Sequence, residues 1–213
     1  MRREIIGMTT ANGAAETIDL RALYGEPGGL AKRKVLDRLD RHCRALIAAS
    51  PFLVIGSAGA DGRADVSPRG DAPGFVAVLD ERRLLIPDRI GNNRVDTMAN
   101  IQANPNVGLI FFVPGMNETL RVNGRATITT DAGLLEPLAV QGRAPKAGIL
   151  VEVEEAFLHC AKALMRAKLW DPESRIDRRA FPSLGRMIAE QVGGVEVEQA
   201  EARVEESYRT RLY

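Results

Sequence analysis

A short polar segment, Ser67-Pro68-Arg69, combines a hydroxyl group and a guanidinium with a residue of fixed backbone angle. It opens a stretch rich in glycine and proline, residues 68–74, which is unsuited to a central strand. Proline fixes φ and glycine allows close approach to the backbone, so the side chains of Ser67 and Arg69 should be held in place. A planar guanidinium suits phosphate because it donates two hydrogen bonds at once. The alternative is a surface turn with a solvated arginine.

A second candidate anion site is Asn92-Asn93-Arg94, where a helix predicted over residues 92–104 begins. The first N–H groups of a helix have no partner within the helix and attract anions. The side chains of Asn93 and Arg94 would add further donors. Capping of the helix by Asn92, with Arg94 exposed to solvent, is the alternative.

A third candidate is basic. A helix predicted over residues 156–169 carries His159, Lys162 and Arg166 at spacings of three and four, which place them on one face. Neighbouring cations repel unless an anion lies among them, so this face is a candidate rim of a substrate or cofactor site. A solvated basic stripe is the alternative. Cys160 lies on the more apolar side of the predicted helix, which favours packing over a nucleophilic role.

Short β-like segments surround these candidates and predict a small antiparallel barrel with helical additions. Strands are predicted over residues 52–56, 63–67, 75–79, 83–86, 107–113, 119–129 and 149–153. Helices are predicted over residues 30–49, 92–104, 156–169, 184–191 and 196–212. Residues 1–30 lack periodicity and are predicted to form an arm. Residues 31–160 form the predicted barrel domain, and residues 161–213 a helical extension packed on the barrel.

The composition excludes several classes of protein. The chain has 213 residues, and 29 Lys and Arg balance 28 Asp and Glu, which argues against a general nucleic-acid binder. No apolar run approaches the roughly 18 residues of a membrane helix, and residues 1–15 lack the apolar core of a secretion signal, so a cytoplasmic protein without a membrane partner is expected. Two cysteines and two histidines make neither a disulfide scaffold nor a convincing zinc site, and no metal is expected.

Several motifs occur in a fixed order along the middle of the chain. They are Ser67-Pro68-Arg69-Gly70-Asp71, Leu85-Ile86-Pro87-Asp88-Arg89, Asn104-Pro105-Asn106-Val107-Gly108, Leu120-Arg121-Val122-Asn123-Gly124 and His159-Cys160-Ala161-Lys162-Ala163-Leu164. From about residue 46 to 128, this order resembles the pyridoxamine 5′-phosphate oxidase-like, FMN-binding split-barrel superfamily. The first, second and last motifs resemble a subgroup of probable FMN-dependent proteins of undetermined substrate.

The resemblance implies a mainly β protein of the α+β class, a six-stranded antiparallel split β-barrel that binds FMN at the interface of a homodimer. The residues that it places at the cofactor are Ser67, Arg69, Ile86, Pro87, Asn93, Arg94, Thr119 and Arg121. Arg69 and Arg94 correspond to the phosphate-binding positions. Asn93-Arg94 replaces an arginine–lysine pair of the family, which halves the formal positive charge there.

The remaining cofactor residues correspond to positions around the flavin ring. Ile86 and Pro87 match a strand end whose backbone meets the ring, and Thr119 and Arg121 match the strand beneath it. The implied function is an FMN-dependent oxidoreductase with a small-molecule substrate or electron donor. The alternatives are a flavin carrier or stress-response protein without turnover, and a barrel for deazaflavin or haem. The Arg-Leu-x-Pro type segment of true pyridoxamine phosphate oxidases is not found here, so vitamin B6 oxidation is not expected.

Overall fold

The computed structural model describes residues 18–213, which divide into two compact units, residues 18–33 and 34–213. The described part of the first unit contains two short helices, α1 (Leu20–Tyr24) and α2 (Gly29–Arg33). Most of the predicted arm falls on residues 1–17, which lie outside the described residues. The sheet, the remaining helices and the candidate site all belong to the second unit.

Residues 18–213 contain seven strands in one antiparallel sheet. They are β1 (Phe52–Ala58), β2 (Ala64–Gly70), β3 (Ala77–Val78), β4 (Arg83–Pro87), β5 (Asn106–Phe112), β6 (Thr119–Thr129) and β7 (Gly148–His159). Their order is β2-β1-β5-β6-β7-β4-β3, and in the described part of the chain the two edge strands do not pair with each other. The predicted split barrel of the α+β class is confirmed. It has seven strands rather than six because the short β3 pairs with β4 over two residues.

Helices and short 3₁₀ turns complete the second unit. The helices are α3 (Arg41–Ala49), α4 (Asp96–Ala103), α5 (Ala132–Leu135), α6 (Lys162–Ala167), α7 (Leu184–Val192) and α8 (Val197–Thr210). The 3₁₀ turns are Glu136–Leu138, Pro172–Ser174 and Arg178–Ala180. No helix among residues 18–213 is long and apolar enough to cross a membrane.

Alternation along the strands builds the core inside the curved sheet. On β1 and β5, every second residue is buried, as the period of a strand requires. Helix α3 closes one side of this core with Cys43, Leu46 and Ile47. Burial raises the pKa of the Cys43 thiol to about 11, so this cysteine is an inert core residue.

The predicted helix over residues 30–49 is wrong in its first half. Helix α3 begins at Arg41 because the Asp40 carboxylate accepts the backbone N–H groups of His42 and Cys43. Before that cap, the Leu36 backbone pairs with Ala156 in the second half of β7. His42, on the first turn of α3, is exposed.

The predicted helix over residues 156–169 is also wrong in its first part. Strand β7 continues to His159 and pairs with β6, with one register shift at Asn123/Gly124, so that Thr119 lies opposite His159. Hydrogen bonds to β6 outweigh the local helical pattern of residues 156–159. Without them, the backbone N–H and C=O groups at the start of the 11-residue strand β6 would lose their partners. His159 therefore does not share a helix face with Lys162 and Arg166, and Cys160 is exposed rather than packed.

Strand β2 runs further than predicted, through Pro68 to Gly70. Its place at the edge of the sheet explains this, because a proline on an edge strand removes no ladder hydrogen bond that the sheet needs. The extension carries Arg69 to the end of a strand instead of a loop.

Candidate functional site

A cleft of about 880 Å³ lies between the end of β2 and the segment that follows β4. Residues 65–70 form one wall, and residues 87–98 form the floor and a second wall. The end of α8 and the residues after it form a third wall, with Ser207, Tyr208, Arg211 and Leu212. Because these parts are distant in sequence, only the fold brings them together.

Strand β2 positions two polar side chains at this cleft. Ser67 and Arg69 lie opposite the buried residues Ile55 and Leu53 of β1, so they are on the inner side of the sheet at its edge. The Arg69 side chain is 19% exposed, and its Nη1 donates to Oδ1 of Asp88 at 3.0 Å. Its buried Nε has no hydrogen-bond partner among residues 18–213. Arg69 thus lines the cleft with a side chain whose Nε is enclosed by the protein and has no partner in the described part of the chain.

Two reciprocal ion pairs join the end of β2 to the residues after β4. The first is Arg69–Asp88, and the second runs in the opposite direction, from Nε of Arg89 to Oδ2 of Asp71 at 2.6 Å. Nη1 of Arg89 also donates to the carbonyl oxygen of Leu138 at 2.8 Å. Because β2 and β4 do not pair as strands, these side chains connect the two sides of the open barrel.

Asp71 is the most buried charged group of these two ion pairs, with a side chain only 3% exposed. Burial by itself raises the pKa of this carboxyl, but hydrogen bonds from the Tyr213 hydroxyl, the Ala72 amide and Arg89 outweigh it and lower the pKa below its ordinary value. The same bond raises the pKa of the Tyr213 hydroxyl. Asp71 is therefore ionised at neutral pH, and Tyr213 donates to it at 2.7 Å.

The segment before α4 differs from the sequence-based expectation. Helix α4 begins at Asp96, so Asn92, Asn93 and Arg94 precede it, and Asn92 does not cap it. Instead, Oδ1 of Asn92 accepts the backbone N–H of Arg94 at 3.1 Å. Nε of Arg94 donates to Asp96 at 2.8 Å, and its side chain is 74% exposed. Asn93 and Arg94 line the cleft, as loop donors rather than as part of a helix N-terminus.

Ile86 and Pro87 end strand β4 behind the cleft. Ile86 is fully buried, whereas Pro87 contributes to the lining. The backbone N–H of Asp88 donates to the carbonyl oxygen of Ala147 at 3.0 Å, and proline has no N–H. The strand end therefore offers the cleft the apolar ring of Pro87, and no free amide at positions 87 and 88.

A second, shallower depression of about 430 Å³ lies on the outer face of β1, β5 and β6. Val54, Ile110 and Arg121 lie side by side across the three strands in the register of the sheet. The Arg121 guanidinium lies 5.0 Å from the ring centroid of Phe157, within cation–π range. No carboxylate among residues 18–213 pairs with Arg121.

The structure divides the predicted site residues into three groups. Ser67, Arg69, Pro87, Asn93 and Arg94 line the cleft. Arg121 and His159 line the outer depression, where His159 lies at the end of β7. Ile86 and Thr119 are buried, and Lys162 and Arg166 are exposed on α6 and border neither hollow.

Sequence reasoning missed the carboxylates and the C-terminal residues of the cleft. Asp71, Asp88 and Arg89 belong to the motifs that carry the resemblance, so their motif membership was an available signal. Arg211 and Tyr213 had no such signal, because their partners lie more than 100 residues away. Among the described residues, no cluster of three or more His, Cys, Asp or Glu side chains could hold a metal ion.

A model of the family described as pyridoxamine 5′-phosphate oxidase matches residues 39–160. The chain belongs to this family. The match to the pyridoxamine 5′-phosphate oxidase family includes all seven strands and both ion pairs, and it ends before α7 and α8. Among curated proteins, none is significantly similar to the chain.

Solved structures with a similar fold include HupZ from Group A Streptococcus, which is 21% identical. The similarity covers 56% of this chain and 92% of HupZ, with a TM-score of 0.46. An FMN-binding protein from Syntrophomonas wolfei is 9% identical over 55% of this chain and 83% of its own, with a TM-score of 0.45. General Stress Protein 26 from Bacillus anthracis is 13% identical over 54% and 88%, with a TM-score of 0.42.

Proposed function

We propose that the protein is an FMN-dependent oxidoreductase that holds the FMN phosphate in the cleft. The observation that carries this proposal is Arg69, whose side chain lines the cleft and is 19% exposed, in a chain that belongs to the pyridoxamine 5′-phosphate oxidase family. A guanidinium can donate two parallel hydrogen bonds to a phosphate, so an anionic ligand in the cleft would fit this side chain.

The other donors of the cleft fit a phosphate. The Ser67 hydroxyl makes only a 3.5 Å contact, with the carbonyl oxygen of Pro68, and is therefore free to bind a ligand. Asn93 and Arg94 supply an amide and a second guanidinium on the opposite wall. In the protein alone, Asp88 and Asp96 partly neutralise the two arginines, so a phosphate would share or replace these carboxylates. When bound, FMN supplies the electron chemistry, and the protein supplies binding and orientation.

The proposal includes a homodimer formed through the outer face of β1, β5 and β6. Phe52, Val54, Ile110 and Phe112 give this face an apolar surface, and the rings of Phe52 and Phe112 lie 6.2 Å apart. Such partly exposed apolar patches are typical of interfaces. Arg121 adds a cation without a carboxylate partner in the described residues, so an anion bound between two copies would neutralise it.

The absorption spectrum of the purified protein, with and without added FMN, tests the proposal. Saturable FMN binding, with perturbed flavin bands that follow the protein on a sizing column, is the expected result. A Soret band, or binding of a deazaflavin in place of FMN, would contradict it and identify another cofactor.

Rapid mixing of the FMN-loaded protein with NADH or NADPH separates an enzyme from a carrier. Bleaching of the flavin band, followed by reoxidation over many cycles, is expected of an oxidoreductase. A flavin that binds tightly and can be reduced by dithionite, but stays oxidised with both NADH and NADPH, would favour the carrier.

A further inference from the structure

The segment that presents Asn93 and Arg94 has an unfavourable backbone conformation. Asn93 has a φ of 60° and Val95 a φ of 52°, both in the left-handed region. For a β-branched residue such as Val95, this region is strongly disfavoured. No side chain among the described residues caps α4, which begins directly after Val95. A conformation of this kind persists only where surrounding contacts impose it.

Beside the local hydrogen bond from the Arg94 N–H to Asn92 Oδ1, contacts with distant parts of the chain restrain the segment. Nε of Arg89 binds Asp71, and its Nη1 binds the Leu138 carbonyl oxygen. Nη2 of Arg211, beyond the end of α8, donates to the Gly91 carbonyl oxygen at 3.2 Å. Contacts with distant residues therefore hold positions 89 and 91, a few residues before the strained positions 93 and 95.

Residues 207–213, here named the C-terminal strap, contribute to both anchors. Arg211 reaches the segment directly. Tyr213 acts through Asp71, because its hydroxyl is one of three donors to that buried carboxylate. The backbone oxygen of Tyr213 in turn accepts from Nη1 of Arg143 at 3.0 Å, which fixes the strap on its other side. The family match ends at residue 160, so these contacts are made by a part of the chain outside it.

We propose that the C-terminal strap holds residues 88–95 in their ligand-binding conformation and that Tyr213 is its positioning residue. Tyr213 touches Asp71 and not the donors that face the cleft, so it acts through the Asp71–Arg89 ion pair. Only the ligand-affinity part of this inference rests on the proposed function. The restraint on residues 88–95 is a property of the protein alone.

Hydrogen–deuterium exchange of the protein without ligand tests the restraint. Tyr213→Phe removes the hydroxyl donor and keeps the ring, and Tyr24→Phe makes the same change at an exposed tyrosine. Within residues 88–95, the amides of Asp88 and Arg94 are hydrogen-bonded, to the carbonyl oxygen of Ala147 and to Oδ1 of Asn92. We expect these two amides to exchange about tenfold faster in Tyr213→Phe, since one hydrogen bond to a charged group is lost. Amides of β5 and β6 should not change. Equal exchange of the Asp88 and Arg94 amides in the two variants would overturn the proposal.

A double-mutant cycle with Arg94→Ala tests whether Tyr213 acts on ligand binding through the segment. We expect Tyr213→Phe to weaken FMN binding about tenfold in the parent and less than about twofold in Arg94→Ala. Equal effects in both backgrounds would show that Tyr213 does not act by placing Arg94. If FMN does not bind the parent protein, the proposed function fails, whereas the exchange measurement still decides the role of the strap.

Discussion

The cleft and the outer depression adjoin each other at Val66, yet they are built in different ways. The outer face comes from three paired strands, whose alternation presents residues such as Val54 and Ile110 at regular spacing. The cleft comes from strand ends, a strained segment and the C-terminal strap, held by the ion pairs of Arg69 and Arg89. Regular pairing produces a shallow, mainly apolar surface, whereas the irregular strand ends at the open side of the barrel produce a deeper, more polar cleft.

This difference separates two kinds of recognition within one chain. A shallow apolar face offers contact area to another protein surface, as in subunit association. A cleft with arginine, amide and hydroxyl donors fixes a small anionic group in one orientation. Substitutions in one region should therefore alter association, and substitutions in the other should alter ligand affinity.

The largest effect is expected from a charge on the outer face. Phe52→Asp, at a residue of this face that lies opposite Phe112, would bury an unpaired carboxylate in the proposed dimer, which costs about 3 kcal/mol or more and weakens the dimer at least about a hundredfold. Light scattering after size exclusion should then give the mass of a monomer. Val192→Asp, at an exposed apolar residue of α7, is the control and should remain dimeric. A dimer in both variants would show that copies do not meet through this face.

Arg69→Ala should have the next largest effect, and on the cleft alone. It removes the candidate phosphate donor and leaves Asp88 without its partner, so we expect a loss of about 2–3 kcal/mol in FMN binding. Fluorescence titration of FMN measures this loss. Arg63→Ala, at an exposed arginine just before β2, is the matched control. Unchanged FMN affinity in Arg69→Ala would contradict the assignment of Arg69 to the phosphate. A change in oligomeric mass would contradict the assignment of ligand binding and association to separate regions.

Acid should weaken the ion pairs Arg69–Asp88 and Arg89–Asp71 at the cleft before it affects the apolar face. The pKa of Asp71 is lowered by folding, so its stabilising contribution is complete above the ordinary carboxyl pKa and is lost as the pH falls through the folded value. Asp71→Asn lacks this contribution, and we expect it to reduce the free energy of unfolding by about 2 kcal/mol at pH 7.

Urea unfolding between about pH 6 and pH 2.5 measures this effect. The stability of the parent should approach that of Asp71→Asn as the pH falls. A constant difference between the two proteins across this range would show that the Asp71 charge does not contribute.

The smallest effect is expected from α6. Lys162 and Arg166 border neither hollow, so the double variant Lys162→Ala/Arg166→Ala should change FMN affinity by less than about 0.5 kcal/mol. Turnover with the electron donor tests the predicted substrate rim separately. A large loss of turnover with unchanged FMN affinity would place these cations at a substrate site formed with a second copy.

Local pattern predicted the elements whose own residues alternate or repeat with a regular period. Strand β6 has the predicted bounds, 119–129, and the helices near residues 184–191 and 196–212 occur as α7 and α8. The errors fall where distant partners decide. Residues 156–159 join β7 because β6 supplies their hydrogen bonds, and Leu36 leaves the predicted helix to pair with Ala156. Neither partner is visible from the local sequence.

The sequence by itself determined the open antiparallel barrel, its family and the residue types at the cleft, because alternation and short motifs are local properties. Only the tertiary structure decided which arginine faces which carboxylate. Arg69 meets Asp88 and Asp71 meets Arg89 because an open sheet brings the end of β2 to the end of β4. It also decided that Arg121 lies on a different face from Arg69, and that Tyr213 reaches Asp71 across 142 positions of the chain.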